Sequence, residues 1–429
     1  MEKSFKYIKR KNRLISLKKG IIKRYRKIYA IKKIKENKSK YKPKLFKLLM
    51  LFILMIINIF INYDEYNNNI NNNNKNISYH KKLIESQNYE NFNIMKDRYK
   101  SEFSSIFDKI NIILYIRNYN LNELKKDKTN INIVVSFNSK YTYILMVSMN
   151  SVLLNINKDK SFITYHLLCS SDVNSNNITH LKSFMDDYYN NLEMIFYNMT
   201  TLAETRKNCY LSKTTYFRVY SPIFINSDRM IYLDGDTLTF DDLGEMYNLN
   251  FKDNYILGFF DIISDGVDYL GIRSERYINA GVTLFNLKKI REDRIINKII
   301  DSINDITLNL HKDDQTLVNY LLYPKIGRLP LKYGIFNFEG KSDFGPYLSR
   351  IRTKIDANDL ENGLNNAVII HNVLCVPKIW YPNPVYYKQH TDCQKRDNCS
   401  CMKYHDLWHS FANKTKYYNE ILLYLGIKK

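Results

Sequence analysis

Apolar runs and apolar stripes with helical spacing alternate along the chain from residue 130 onward. Continuous apolar runs are typical of strands buried on both faces, and apolar positions three and four residues apart are typical of helices. The predicted strands are 131–137, 165–169, 192–197, 230–233, 255–260, 282–287 and 367–371. The predicted helices are 141–156, 178–192, 214–225, 287–303, 313–322 and 407–425. This alternation predicts an α/β fold with a mixed, mostly parallel sheet flanked by helices.

The strand predicted at 230–233 ends in an Asp-x-Asp motif, Asp234-Gly235-Asp236. Extended geometry puts residues i and i+2 on the same side of the chain, and Gly235 allows a sharp bend at the strand end. Two carboxylates aimed at one point favour a cation between them, and oxygen ligands suit Mg²⁺ or Mn²⁺. An acid-rich surface loop is the alternative. Because ligands bind beyond the carboxyl ends of strands in such sheets, we predict a metal site here.

The segment before residue 130 has a different composition. Residues 1–48 hold 20 Lys and Arg against Glu2 and Glu36, and an apolar stretch occupies 45–61. A basic flank before such a stretch is typical of a membrane anchor with a cytosolic N-terminus. A buried soluble helix and a cleaved signal peptide are the alternatives. We therefore expect a single-pass type II protein of the Golgi or ER membrane, with the following domain in the lumen.

The positive charge of the chain is concentrated at its start. Residues 1–48 carry +18 of the formal net charge of +22, so the remaining chain is nearly neutral at +4. A protein that binds nucleic acid carries its basic residues on a folded face, which this distribution does not favour. We therefore expect no nucleic-acid partner.

The composition predicts five regions. An asparagine-rich run at 67–76 favours a disordered stem between anchor and domain, although 103–119 has the spacing of a helix packed on the domain. The predicted regions are a basic cytosolic tail at 1–44, a transmembrane anchor at 45–62, a low-complexity stem at 63–129, the main domain at 130–388, and a C-terminal cysteine cluster and helix at 389–429.

Four cysteines lie in the last part of the chain, with His390 and His405 beside them. The cysteines are Cys375, Cys393, Cys399 and Cys401. Zinc binding is one interpretation, but no Cys-x₂-Cys pair is present. A lumenal location favours disulfides, whose pairing the sequence leaves open.

Four ordered stretches resemble glycosyltransferase family 8, a group of retaining enzymes of GT-A fold that use UDP-sugars. They are TTYFRVYSPIFINSDRMIYLDGDTLTFDDL at 214–243, YINAGVTLFNLKKIR at 277–291, DDQTLVN at 313–319 and HNVLCVPKIW at 371–380. The resemblance covers roughly 130–381. Dinucleotide-binding, Walker A and nucleophile-elbow motifs are absent from the sequence, which disfavours dehydrogenases, NTPases and hydrolases.

The resemblance implies a role for each matching residue. Asp234, Asp236 and His371 would hold Mn²⁺, or Mg²⁺, against the diphosphate of the donor. Gln315 would face the anomeric carbon, and Asp314 would hold a sugar hydroxyl. The implied donor-binding residues are Asn138 and Tyr141 at the base, Arg218 at the diphosphate or ribose, Asp234 and Gly235, Asn279, Ala280 and Gly281 along the sugar, and Lys378 at the phosphates.

Two functions follow as hypotheses from this resemblance. The first is a retaining glycosyltransferase that moves a hexose, with glucose or galactose favoured, from a UDP-sugar to an unknown glycan, protein or lipid acceptor. The second is a catalytically silent GT-A domain that binds sugars or nucleotides.

Overall fold

Helices and strands alternate through the protein, as the apolar pattern predicts. The structure, a computed structural model, describes residues 87–115, 121–188, 190–199, 213–261, 270–273, 276–305, 308, 310, 313–336, 357–373, 375–382, 385–386 and 400–427. The strands are β1 (Asn111–Tyr115), β2 (Thr129–Phe137), β3 (Ser161–Cys169), β4 (Leu192–Asn198), β5 (Met230–Leu233), β6 (Thr237–Thr239), β7 (Ile256–Phe260), β8 (Ile278–Phe285), β9 (Ile326–Arg328), β10 (Ile335–Phe336), β11 (Ile369–His371), β12 (Cys375–Val376) and β13 (Val385–Tyr386). The α-helices are α1 (Gln87–Arg98), α2 (Lys100–Phe107), α3 (Leu121–Lys125), α4 (Thr142–Asn155), α5 (Ser175–Lys182), α6 (Phe184–Asp187), α7 (Ser221–Phe224), α8 (Gly244–Tyr247), α9 (Leu287–Glu292), α10 (Ile295–Asn304), α11 (Asp313–Leu322), α12 (Ala357–Asn365), α13 (Ser400–Asn413) and α14 (Tyr418–Tyr424). Short 3₁₀ helices lie at Ser139–Tyr141, Lys213–Tyr220 and Leu331–Tyr333.

Eight of the described strands form one sheet, in the order β1-β4-β3-β2-β5-β8-β7-β9. The neighbours β4, β3, β2 and β5 run parallel, as do β7 and β9, whereas β1 and β8 run antiparallel to their neighbours. Strands β2, β3 and β4 are buried along nearly their whole length, as expected for the middle of such a sheet. The predicted α/β fold with a mixed, mostly parallel sheet is therefore confirmed.

A smaller sheet joins two segments that are distant in sequence. Its order is β10-β11-β6, and β11 runs antiparallel to β6. In this register His371 pairs with Thr237, the residue that follows Asp236. The small sheet therefore brings the end of β11 to the end of β5.

The C-terminal helices pack on the outside of α4. Ile144 and Val147 of α4 are buried in one cluster with Trp408 and Phe411 of α13. The Asn150 amide donates a hydrogen bond to the Phe411 carbonyl across this interface. The region predicted separately at 389–429 therefore belongs, in its described part, to the same unit as the sheet.

Four predicted helices are divided in the structure, and one of them, 214–225, is the 3₁₀ helix Lys213–Tyr220 followed by α7. The helix predicted at 287–303 is α9 and α10, because Arg294 between them has a left-handed backbone with φ of 53°. The segment predicted at 178–192 contains the short helices α5 and α6, and 407–425 lies across α13 and α14. Apolar spacing identified where these helices lie but not where each one ends.

The folded part of the chain begins before residue 130. Helices α1, α2 and α3 precede β2, and β1 pairs antiparallel with β4 at the sheet edge. Phe92, Met95 and Phe107 are buried against the main core. The stem predicted at 63–129 is therefore corrected over 87–115 and 121–129, because buried apolar side chains of α1 and α2 pack on the main core. The helix expected at 103–119 is confirmed only up to Phe107, where α2 ends, and is wrong at 111–115, which form β1. Residues 63–86 lie outside the described residues.

The membrane prediction is corrected as well. No helix in the part of the chain that the structure describes is long and apolar enough to cross a membrane. The predicted tail at 1–44 and anchor at 45–62 lie outside the described residues. On this finding we withdraw the prediction of a single-pass type II protein of the Golgi or ER membrane.

The disulfides expected among the four C-terminal cysteines remain a prediction. Cys393 and Cys399 lie outside the described residues, so the pairing stays a prediction. Cys169 is a free cysteine buried in the main core.

Candidate functional site

Two carboxylates and a histidine converge where three strands end or begin. Asp234 follows β5, Asp236 precedes β6, and His371 ends β11. His371 Nε2 lies 3.0 Å from Asp236 Oδ1 and 3.6 Å from Asp234 Oδ2. One ligand atom from each residue lies within 4.8 Å of the others. The structure thus brings the three predicted metal ligands to one point.

The surroundings of these three residues suit a divalent cation. Two carboxylates and an imidazole form a donor set that Mn²⁺ and Mg²⁺ accept. The backbone of Gly281 lies directly against the set, since a Cβ at Gly281 would lie 2.1 Å from His371 Cε1 and 2.5 Å from Asp234 Oδ2. The Asp234 N–H donates to the Gly281 carbonyl over 2.7 Å and ties the two strands together. The residues present therefore fit a metal ion.

Lys378 neutralises part of the carboxylate charge. Its Nζ donates to Asp236 Oδ2 over 2.8 Å and to the Asn372 carbonyl over 3.0 Å. Burial acts to raise the pKa of Asp236, but Lys378 and His371 outweigh it and hold that pKa well below its usual value. Asp236 is therefore ionised at neutral pH. Lys378, predicted to bind phosphates, contacts a metal-ligand carboxylate in this structure.

Arg218 faces the interior of the protein. It is 2% exposed, and its guanidinium forms ion pairs with Asp234 Oδ1 at 3.1 Å and with Asp314 Oδ2 at 3.0 Å. The same group donates to the Ala280 carbonyl and lies 3.9 Å from the centre of the Tyr232 ring. Arg218 was predicted to contact the donor, but its described contacts are with the protein. By pairing with both carboxylates, the guanidinium fixes the positions of Asp234 and Asp314.

The Gln315 amide is held on both sides. Its Oε1 accepts from Asn279 Nδ2 and from the Ala280 N–H, each over 3.2 Å. Its Nε2 donates to Asp261 Oδ2 over 2.7 Å. The Gly281 N–H in turn donates to Asn279 Oδ1 over 2.9 Å. The amide oxygen of Gln315 is thus directed at the strand segment predicted to lie along the donor sugar.

Asp261 is a site residue that sequence reasoning missed. It directly follows β7, is 8% exposed, and lies within hydrogen-bond distance of Asn279 and Gln315. A carboxylate after an apolar strand was the signal that identified Asp234. The same signal was present in the sequence GFFD at 258–261.

Two predicted base-binding residues lie at the end of β2. Asn138 Oδ1 is buried and has no hydrogen-bond partner among the described residues. The Tyr141 side chain is 40% exposed, with its ring edge-on to Trp380 at 6.3 Å between centroids. Burial, followed by the charges of Asp236 and Asp234, raises the Tyr141 pKa, so its hydroxyl stays protonated. An acceptor oxygen and an exposed ring therefore lie beside the carboxylates.

The two glycines of the site differ in the space available for a side chain. A Cβ at Gly235 would lie 3.8 Å from Tyr141 Cδ1, which is ordinary contact, whereas a Cβ at Gly281 would overlap His371. Glycine is therefore required by close packing at 281 but not at 235.

Gly281→Ala is expected to weaken Mn²⁺ binding and activity by about 100-fold, the scale associated with displacements of about 1 Å in an active site. His371 is 1% exposed, so its ring has little space to move away from the added methyl group. Mn²⁺ titration and the rate of UDP release test this expectation. Gly235→Ala is the comparison, and an equal loss of Mn²⁺ affinity in both variants would contradict the steric explanation.

Comparison with known proteins identifies relatives of this chain. The sequence model of Glycosyl transferase family 8 matches residues 132–380, more than half of the chain. A putative glycosyltransferase of Haemophilus influenzae is 27% identical over 203 residues, which cover 46% of this chain and 60% of that protein. The Escherichia coli lipopolysaccharide 1,2-glucosyltransferase is 25% identical over 247 residues, which cover 54% of this chain and 70% of that protein.

A solved structure shares the fold. The apo structure of the bifunctional glycosyltransferase WbbM aligns with a TM-score of 0.53 at 17% identity, over 72% of this chain and 53% of that chain. At this identity the likeness shows the fold alone, and it agrees with the predicted GT-A type. The family prediction is confirmed by the match over 132–380. The chain belongs to glycosyl transferase family 8.

Proposed function

We propose that the protein transfers a hexose from a UDP-sugar to a glycan, protein or lipid acceptor, with retention of the anomeric configuration. The observation that carries this proposal is the convergence of Asp234, Asp236 and His371 within 4.8 Å at the strand ends. Gln315 and Asp314 lie beside them on α11. The name of the E. coli relative, a glucosyltransferase, supports glucose as the transferred sugar.

Asp234, Asp236 and His371 would hold the divalent metal ion. Bound there, Mn²⁺ or Mg²⁺ supplies Lewis-acid neutralisation of the negative charge that develops on the departing diphosphate. The low pKa of Asp236 keeps its carboxylate available for this role at neutral pH. Arg218 fixes the orientation of Asp234 from behind.

Lys378 would change partners when the donor binds. In the structure its Nζ compensates Asp236. The Lys378 side chain is 29% exposed. A diphosphate bound next to Asp236 would offer the Lys378 ammonium group a second anion. We assign Lys378 to the phosphates on this basis, Asn138 and Tyr141 to the base, and Asn279, Ala280 and Gly281 to the sugar.

Gln315 would stabilise positive charge at the anomeric carbon. In a retaining transfer this carbon becomes oxocarbenium-like as the bond to UDP breaks. The Gln315 oxygen is held by the Asn279 side-chain amide and the Ala280 N–H and needs no reorganisation during the reaction. Asp314, whose charge Arg218 compensates, would hold a sugar hydroxyl.

Gln315→Ala is expected to lower kcat by about 100- to 1,000-fold, the usual cost of removing one preorganised electrostatic group. The affinity for UDP should change little, because Gln315 contacts the sugar side of the site. Steady-state kinetics and calorimetric UDP binding separate the two quantities. An equal loss of kcat and UDP affinity would make Gln315 a binding residue instead.

The full-length protein, Mn²⁺ and a panel of UDP-sugars test the proposed function. We expect UDP release with one UDP-hexose, abolished by EDTA, and a product of unchanged anomeric configuration by NMR. The hydrogen bond between Lys378 and Asp236 favours a second candidate, a silent binding domain, because a lysine already occupies a ligand oxygen. Tight UDP–Mn²⁺ binding without turnover would select that candidate.

A further inference from the structure

One face of β2, β3 and β4 carries a patch of polar side chains, which we call the polar patch. Its members are Asn130, Asn132, Thr164, His166, Glu193 and Tyr197. Asn132 pairs with Thr164, and Thr164 with Glu193, so these alternate residues lie on the same face. Buried parallel strands are usually almost continuously apolar, and buried polar groups are unfavourable unless they are paired. Such departures from apolar burial concentrate at functional positions.

The polar patch is electrically neutral. His166 hydrogen bonds through Nδ1 to the Tyr197 hydroxyl and through Nε2 to Asn132 Oδ1, each at 3.0 Å. Burial, assisted by the charge of Lys125, lowers the His166 pKa to about 3, so its ring is uncharged at neutral pH. Lys125 Nζ donates to Glu193 Oε2 over 2.7 Å, so these two charges compensate each other. Asn132 Nδ2 donates to Ser227 Oγ and to the Tyr247 hydroxyl, and the Thr164 hydroxyl donates to Asn130 Oδ1. The patch is therefore a neutral surface whose buried groups are hydrogen-bonded to one another.

A cavity of about 220 Å³ lies over the polar patch. Helices α1 and α3, the end of α7 and the segment after it form the other walls, which include Phe92 and Phe224. Asn122 and Asn226 line it and are exposed to solvent, whereas His166 and Asn132 are only 5% and 7% exposed. The volume is more than ten times the roughly 10–15 Å³ that one water molecule needs. The cavity therefore has space for a small ligand and an open mouth.

This cavity is separate from the metal site. It is lined by Asn130 and Asn132 near the start of β2, whereas Asn138 of the donor site follows the end of that strand. Asp234 likewise follows β5, while Ser227 of the cavity precedes it. The two sites thus lie toward opposite ends of the central strands.

The lining selects one class of ligand. Amides and hydroxyls that both donate and accept hydrogen bonds suit a neutral polyhydroxyl ring. A charged ligand would find Lys125 and Glu193 already paired, and an apolar ligand would desolvate the amides without compensation. Phe92 and Phe224 supply part of the apolar lining. We propose that the cavity is a second carbohydrate-binding site that takes a single neutral sugar unit.

Saturation-transfer NMR on the full-length protein with glucose, galactose and N-acetylglucosamine tests the proposal. We expect saturable binding of at least one sugar in the millimolar range. Asn122→Trp and Asn226→Trp, which place a large side chain at the mouth, should each weaken binding at least 10-fold. Asn365→Trp, at an exposed position outside the cavity lining, is the matched control and should bind as the wild type does.

The Asp236→Asn variant separates this site from the catalytic one. Sugar binding should be unchanged in that variant and in the presence of EDTA. The proposal is overturned if none of the three sugars binds saturably, in which case the cavity holds water only. It is also overturned if binding persists in both blocked variants, or if it disappears in Asp236→Asn. UDP release, measured separately, tests the proposed transfer reaction independently.

Discussion

Asp236→Asn is expected to lose at least about 100-fold in Mn²⁺ affinity, and UDP release should fall below detection. Losing a group that only orients a metal ligand already weakens affinity by about 10- to 100-fold, and Asp236 is a ligand candidate itself. Asparagine keeps the shape and one acceptor oxygen but removes the charge that faces His371 and Lys378. Metal titration and an assay of UDP release with the UDP-hexose used by the wild type measure the two effects.

The fold should survive this substitution. The Lys378 side chain is 29% exposed and can turn to solvent when its partner loses charge. Asp159→Asn, which removes an exposed carboxylate in the turn before β3, is the control and should retain both properties. Full activity of Asp236→Asn would remove Asp236 from the metal site.

The same carboxylate gives a stability difference that depends on pH. Because the folded-state pKa of Asp236 is below the ordinary value of 3.8, its ionisation stabilises the folded protein above that pH. The contribution is lost as pH falls through the lowered pKa. The stability difference between wild type and Asp236→Asn should therefore shrink as pH falls below about pH 4. Denaturant unfolding at several pH values measures it.

The convergence of the three candidate metal ligands could be predicted because each one ends or follows an apolar strand. Asp234 and Asp236 are close in sequence, and family resemblance added His371, which the small sheet then places beside them. The partners of Arg218 and Lys378 could not be predicted in this way. A cationic side chain can pair with a ligand or with the protein, and only the packing around it decides between them.

The polar patch and the first N-terminal helix could not be predicted from the average polarity of their segments. Asn132 lies inside the run INIVVSF, which reads as apolar because its neighbours are. Phe92 and Met95 lie in a segment rich in Asn, Lys and Tyr, which favours a stem, whereas apolar spacing indicated a helix only from residue 103 onward. In both cases a few residues that differ from their neighbours determine the structure. Packing depends on each buried side chain, whereas composition describes only the average of a segment.

Arg218→Met should destabilise the protein by about 3–5 kcal/mol, the usual effect of removing one partner from a buried ion pair. The Arg218 and Asp314 side chains are only 3% and 4% exposed, so the variant leaves the Asp314 carboxylate buried without this compensating charge. Equilibrium unfolding in urea measures the loss. Arg229→Met is the matched control, because Arg229 donates to the backbone carbonyls of Tyr247 and Leu249. That control should lose about 1–2 kcal/mol and keep its activity.

A second substitution separates charge from position. Arg218→Met combined with Asp314→Asn also removes the buried charge that Arg218 faced, so part of the lost stability should return. Two contacts orient Asp234 Oδ1, one from the Arg218 guanidinium and one from the Tyr232 hydroxyl at 3.0 Å. Activity should not return, because the double variant keeps only the second of them. Recovery of UDP release in the double variant would mean that Arg218 acts on activity only through stability. Asp314→Asn alone is the reference, and a loss of activity in the double variant that exceeds the loss in Asp314→Asn at similar stability would assign Arg218 to positioning Asp234.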